Sequence, residues 1–358
     1  MFRYFFNRFL LIFPTLFLII LLNFLFIQLA PGGPVEQISR QINHQKISGE
    51  SYGLNIVGVA KVGFIEFNQK SALDDETVGK LKKQFGFDLS IYQRFVLMLK
   101  SFIFFDFGES FYQNTKVIDI IIEKIPVSLS LGFWTLMLTY IISIAIGVKK
   151  AVYANSAFDK ISNICLVLTS CVPSFVLAVI LISIFCGGNF FAIFPLKGLT
   201  SVDFINLKWW QKILDYLWHL FLPIFVITIT SLASLAIFCR NNFLEEFNKN
   251  YVKMLINKGV GWNSMIYFHI SRNSLMLIIG SLPAQIITVF FTSSILIEVI
   301  FSLDGLGLMT FEAMNTRDYP IIFASLFIFS LAGLLANLVA DFCYYLIDPR
   351  LHFKKLSK

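Results

Sequence analysis

Residues 127–148 read VSLSLGFWTLMLTYIISIAIGV, twenty-two positions without a charged side chain, closed by Lys149-Lys150. About 20 consecutive apolar residues carry a helix through the hydrocarbon core of a bilayer. Five further stretches meet the same condition: 9–30, 164–186, 217–239, 274–297 and 320–340. Each is bounded by charges or by Gly/Pro punctuation, such as Pro31-Gly32-Gly33-Pro34 and Gly187-Gly188-Asn189. The last continues in helical pattern past Asp341 toward Asp348. The reading is an all-α polytopic membrane protein with six transmembrane helices and a large loop after the first.

The composition agrees. Of 358 residues, 57% are apolar and 14% charged, against about 25% charged in soluble domains, and the mean hydropathy is +0.74. Disordered chains, nucleic-acid-binding domains and disulfide-stapled modules are excluded. The five cysteines lie in apolar stretches without a CxxC pair, and the four histidines lack ligand spacing. Neither a metal site nor a cofactor in this chain is expected.

Arg3 and Arg8 precede the first apolar run, which is longer than the roughly 7–15 residues of a signal h-region and reads as a retained anchor. Orientation follows from Lys and Arg in short loops. With the N-terminus inside, the inner segments carry 14 of them and the two short outer loops carry 4. Both termini are therefore expected in the cytoplasm. The organisation reads as 1–30, the N-terminal end and first helix; 31–126, an extracytoplasmic loop; 127–348, a five-helix core with a cytoplasmic loop at 240–273; and 349–358, a cytoplasmic tail.

Within the outer loop, Asp74 or Asp75 can cap a helix carrying Val78, Leu81 and Phe85, and Ser90 a second with Phe95, Met98, Leu99 and Phe102. A third, around 117–125, is expected to stop at Pro126. The loop reads either as a small cap packed on the membrane domain or as a docking surface for a soluble partner. In the inner segment 240–273, Phe247, Tyr251, Met254 and Leu255 fall on one helical face, and Glu246, Lys249, Asn250, Lys253 and Asn257 on the other. Gly259 permits a tight turn, and 262–272 reads as a second short helix. Such a segment can lie on lipid or plug into a cytoplasmic partner, and periodicity alone does not choose.

No GxxxxGK[ST] loop, GxSxG elbow or HExxH occurs, so neither ATP binding by a phosphate loop nor catalysis is expected here. The spans hold only mild polarity, including Thr228, Ser231, Gln285 and Thr288, which can line a pathway or bond helix to helix. An ion-coupled secondary carrier would place ionisable groups at mid-membrane and show an inverted repeat, and neither is visible. Ala332, Ala336 and Ala340 form a small-residue stripe suited to close helix packing.

Arg8-Phe9-Leu10, Asp106-Phe107-Gly108-Glu109-Ser110 and Ile125-Pro126-Val127-Ser128-Leu129 stand in order before Glu298-Val299-Ile300-Phe301-Ser302-Leu303-Asp304-Gly305-Leu306-Gly307, Arg317-Asp318-Tyr319-Pro320 and Asp348-Pro349-Arg350. Over nearly its whole length the chain resembles the membrane subunits of peptide-importing ABC transporters of the dipeptide/oligopeptide permease family. Phe194-Pro195-Leu196-Lys197-Gly198-Leu199 and the extended outer loop bring it nearest the YejB-type branch, associated with uptake of peptides and of microcin C. The resemblance implies a type I ABC importer permease fold. It also implies a second permease subunit, a cytoplasmic ABC ATPase that binds ATP and Mg, and an extracytoplasmic peptide-binding protein. Tyr251, Val252, Met254, Leu255, Lys258, Gly259, Val260, His269, Arg272 and Asn273 would then form the ATPase-coupling loop, and Glu298, Phe301, Gly305 and Gly307 part of an outer mouth. The family usually carries small residues and an Arg where this chain reads Lys253-Met254-Leu255-Ile256-Asn257, which leaves an assembly-only subunit as an alternative.

The charge distribution sets the first test. A reporter fused after Lys358 or within 245–265 should be cytoplasmic and one within 40–70 external; a cytoplasmic signal near residue 60 would overturn the topology.

Overall fold

The computed structural model describes residues 2–29, 90–110, 112–113, 115–186, 191, 193–282, 285–286 and 294–347. Its helices are α1 (Phe2–Leu29), α2 (Ile91–Ile103), α3 (Val117–Val152), α4 (Ala157–Cys171), α5 (Ser174–Phe185), α6 (Trp209–Phe247), α7 (Asn250–Asn257), α8 (Ser271–Gly280), α9 (Ser294–Phe301), α10 (Leu306–Thr316) and α11 (Tyr319–Ile347). Among the described residues, four helices are long and apolar enough to cross a membrane, at Phe6–Phe26, Val117–Val152, Trp209–Phe247 and Tyr319–Val339. A fifth crossing results if α4 and α5, bent by 93° across Val172-Pro173, are one span. The six read from sequence include 274–297, of which residues 283–284 and 287–293 lie outside the described residues. Four or five crossings are therefore what the structure supports.

The Ser90 cap forms as expected: the Gln93 amide donates to Ser90 Oγ at 3.4 Å, and Gln93 Oε1 accepts from the Ser90 amide at 3.2 Å. The helix read onto Val78, Leu81 and Phe85 lies outside the described residues. The helix expected to stop at Pro126 does not stop; it runs on through the proline as α3. A proline inside a helix forfeits one hydrogen bond. Unwinding beside a membrane span would orphan several, so continuation is favoured.

α3 and α6 form the central pair, packed parallel. Ser143 Oγ donates to the Leu232 carbonyl at 3.2 Å, and a Cβ on Gly147 would lie 2.6 Å from Cys239 Cβ and 2.8 Å from the Ala236 carbonyl. Thr135, Thr139, Ser143 and Gly147 repeat every fourth residue on α3 and are all buried. On the same register Thr139 falls opposite Thr228. Small and hydroxylic side chains let two backbones approach where lipid gives no hydrophobic drive to associate.

Around this pair the apolar core divides into clusters. Ile20, Phe102, Ile121, Met309 and Phe327 join α1, α2, α3, α10 and α11. Leu131, Ala178, Leu220 and Ile297 join α3, α5, α6 and α9. Phe243, Val252, Ile270 and Ile278 join the far end of α6 to α7, to the segment before α8 and to α8 itself. Charges fasten the edges. Arg8 Nε meets Asp341 at 2.5 Å, tying α1 to α11. Asp159 accepts from Arg240 at 2.8 and 2.6 Å and pairs at 3.5 Å with Lys150, whose side chain has no exposed surface. Buried charges persist only when paired in this way.

Gly147 is the tightest point of the seam. Gly147→Leu should cost about 1–3 kcal/mol by overpacking, read as a lower thermal unfolding midpoint in detergent. A wild-type midpoint would show that the helices can part without loss.

Candidate functional site

At the end of α6 the helix breaks across Asn248-Lys249 and restarts as α7. The single amphipathic face expected through 246–257 is therefore not kept. Glu246, read from sequence onto the polar face, is buried at 5% exposure. Its carboxylate accepts from Tyr251 Oη at 2.7 Å, from Asn273 Nδ2 at 2.8 Å and from Lys249 Nζ. One carboxylate thus binds α6, α7 and α8 together. Burial, and then its bond to Glu246, push the Tyr251 phenol up to about 12, so it remains a donor at physiological pH.

Val252 is buried, and Phe247, Tyr251, Leu255 and Val260 pack with Phe243, Met265 and Ile270. Met254 departs from its expected face: it points outward, 49% exposed, beside Lys253, Ile256, Asn257 and Lys258. α7 ends in a Schellman turn. Val260 N–H donates to the Leu255 carbonyl at 3.2 Å and Gly259 N–H to the Ile256 carbonyl at 2.9 Å, with Gly259 at φ +72°. This left-handed position is where glycine has no Cβ penalty. The second short helix read over 262–272 starts as an α-helical turn at Trp262–Ser264, becomes π-helical over Met265–Ile270 and runs on into α8. His269 and Arg272 are exposed and Asn273 is half-buried.

At the opposite end, Glu298 has no exposed surface. Its Oε2 accepts the amides of Gly307 at 2.7 Å and Leu308 at 3.2 Å. Its Oε1 accepts Ser128 Oγ at 2.8 Å, and Ser128 Oγ takes the Leu306 amide at 2.8 Å. The first three amides of α10 are satisfied, and the Glu298 acid group caps the positive end of its dipole. Phe301 is buried beside this clasp. Gly305 and Gly307 were expected to allow a tight turn, but Gly305 has φ −112° and neither glycine is among those with positive φ. Close approach is what requires them. A Cβ on Gly307 would lie 2.9 Å from Glu298 Oε2, and one on Gly305 would collide with the same carboxylate. Outside the clasp, Lys124 Nζ meets Asp304 at 2.6 Å. Nearby, Ser110 Oγ donates to Asp318 Oδ2 at 2.6 Å, joining two of the motif blocks.

Thr228 is buried, Ser231 and Gln285 are half-buried, and Thr288 lies outside the described residues. Among the described residues no cluster of His, Cys, Asp and Glu could hold a metal. Sequence reasoning missed the role of Glu246; the available signal was the second acid of Glu245-Glu246 with Lys three and Tyr five positions on. It also missed the roles of Ser128, Lys150, Asp159 and Arg240.

The clasp predicts a graded loss. Each donor orphaned by Glu298→Ala costs about 1–3 kcal/mol, so the detergent unfolding midpoint should fall clearly. Glu298→Gln keeps an acceptor for the α10 amides and should fall less. An unchanged midpoint for the alanine variant would dismiss the clasp.

Residues 139–353 match the family of binding-protein-dependent transport system inner membrane components. The chain is 45% identical to the peptidoglycan transport system permease protein YejB of Agrobacterium fabrum, covering 98% of each. It is 41% identical to the inner membrane ABC transporter permease protein YejB of Escherichia coli O157:H7, covering 98% of this chain and 99% of that protein. It is 25% identical to the oligopeptide transport system permease protein OppB of Haemophilus influenzae, over 99% of this chain and 100% of that one. The matched region holds the α3–α6 seam from Thr139 onward, the Glu246 network and the Glu298 carboxylate, and the chain belongs to this family as a non-catalytic ABC transporter permease subunit of the YejB/oligopeptide-permease group.

Proposed function

We propose that the chain is one translocation-pathway subunit of an inner-membrane ABC importer for short peptides or peptide-like compounds of the microcin C type. It would work with a second permease subunit, a cytoplasmic ATPase and an extracytoplasmic peptide-binding protein. The substrate class rests on relatives whose names specify peptidoglycan, dipeptide or oligopeptide transport. In this reading both termini and α7 are cytoplasmic, the 298–307 segment belongs to the outer mouth, and Thr228, Ser231, Gln285 and Thr288 are the candidates for the pathway wall.

The observation that carries the reading is the fastening of α7. A helix whose Val252 and Leu255 are spent on the protein's own core is not lying on lipid by that face. Its outward residues, Lys253, Met254, Ile256, Asn257 and Lys258, are left for a partner. Met254 and Ile256 are bulkier than the side chains usual there in the family, so the ATPase groove would have to be wider. Closure of the ATPase dimer would move α7, and Glu246 would pass that movement to α6 and α8.

Gly259 provides the test. No atom lies within 4 Å of a Cβ built there, so a substitution acts through the backbone alone. Gly259→Val should cost about 1–2 kcal/mol of left-handed strain, leave membrane insertion and subunit pairing intact, and abolish substrate-stimulated ATP hydrolysis. Gly259→Asn, which tolerates that conformation, should retain much of it. Wild-type transport by the valine variant would refute the coupling role, and hydrolysis without response to a binding protein in the wild type would favour the assembly-only subunit.

A further inference from the structure

α2 belongs to the loop that sequence reads as external, yet its packing partners lie deep in the spans. Phe95 sits edge-on to Phe17 and Phe24, with ring centroids 5.8 and 5.3 Å away. Its level on α1 is therefore near residue 21, thirteen residues from Arg8, or about 20 Å at 1.5 Å per residue. Phe102, two turns further along α2, meets Phe327 of α11 at 5.3 Å. Phe327 is fourteen residues from Asp341, the partner of Arg8, or about 21 Å by the same rise. Two independent rulers starting from one ion pair give the same height for both parts of α2. The helix lies across the bundle, about 10 Å inside the far edge of a hydrocarbon layer about 30 Å thick. Any tilt of α1 or α11 brings it deeper.

Its surface and backbone fit that depth. The side turned from the core exposes Ile91, Tyr92, Val96, Leu97, Ile103 and Phe104, from 43% to 77%. The same surface continues onto α1 through exposed Phe13, Phe17 and Leu18. Both ends of α2 are closed. Ser90 and Gln93 form the capping box at the start. At the finish Asp106 N–H donates to the Ser101 carbonyl at 2.9 Å and Phe105 N–H to the Phe102 carbonyl at 3.2 Å. That turn holds Phe105 at φ +57°, unusual for a non-glycine residue. Only backbone satisfied internally can sit in hydrocarbon, and exposed Lys100 has a stem long enough to carry its ammonium to the headgroups.

We propose that α2 is a membrane-embedded helix lying in the plane of the leaflet opposite the Arg8–Asp341 pair, and that the partner of its exposed face is lipid acyl chain. The described part of that loop around α2, from Ser90 to Phe105, is thereby anchored in the bilayer.

The test uses the full chain paired with its second permease subunit in vesicles of phosphatidylethanolamine and phosphatidylglycerol, with the native cysteines replaced by alanine. Spin labels are placed at Val96→Cys and Ile103→Cys, both exposed and so free to carry a label. Leu18→Cys on α1 and Ile205→Cys, 84% exposed in the segment before α6, serve as lipid and water references. Accessibility to oxygen should be high and to a water-soluble nickel chelate low at both α2 positions, matching Leu18. Nickel accessibility like that of Ile205 would overturn the proposal in favour of a water-facing cap. Exclusion of both reagents would overturn it in favour of a protein partner.

Discussion

A peptide group that enters hydrocarbon leaves water behind, and an unpaired N–H or C=O there costs several kcal/mol. Within a long helix the cost vanishes, because each group bonds four residues along. It returns wherever a helix starts, stops or bends, so the chain's chemistry is concentrated at helix ends. Glu298 and Ser128 close the start of α10, and a Schellman turn closes α7. Phe105 accepts an unfavourable φ so that the carbonyls of α2 are closed too. The sharp bend between α4 and α5 lies within an apolar run, and backbone of that kind is tolerated only where protein or water covers it.

The buried carboxylates share one design. Glu246, Glu298 and Asp159 each bind elements distant in sequence, and each is met by several hydrogen-bond donors. They differ in what they hold. Glu298 takes backbone amides, so it fixes the end of a helix and leaves little room for movement. Glu246 takes Tyr251, Asn273 and Lys249, all side-chain donors with rotatable stems. A short helix fastened by side chains after a break in α6 can change its angle without unwinding a membrane span. The same acid therefore makes a rigid joint at one end of the bundle and a pliant one at the other.

Apolar run length made α1, α3, α6 and α11 legible from sequence, because a hydrocarbon layer sets a minimum length that few soluble helices reach. Ser90 was legible because a capping box is local. Pro126 misled because local propensity weighs one lost bond, whereas the continuing helix preserves many. Glu246 misled for a related reason: helical periodicity assigned it to the polar face, but the helix breaks two residues later and the phase is lost. Gly259 was read for the conformation it adopts. Gly305 and Gly307 were singled out for a turn, whereas they are needed because Glu298 occupies the space a Cβ would take. A sequence shows that a glycine is present; only neighbours distant in the chain show whether torsion or space requires it.

This difference separates the energetics of the two ends. At Gly259 a side chain meets no atom, so the penalty is confined to one pair of torsions and to the turn they shape. It is small beside the packing of α3 on α6, and the bundle survives it. At Gly305 and Gly307 a side chain displaces a buried carboxylate, orphaning the amides of α10 and the hydroxyl of Ser128 together. Such losses act as a unit because one acceptor serves them all. The 298–307 segment therefore tolerates change in its exposed positions, such as Asp304, and very little in its glycines. The backbone of the turn after α7 rests on the one residue with positive φ, Gly259.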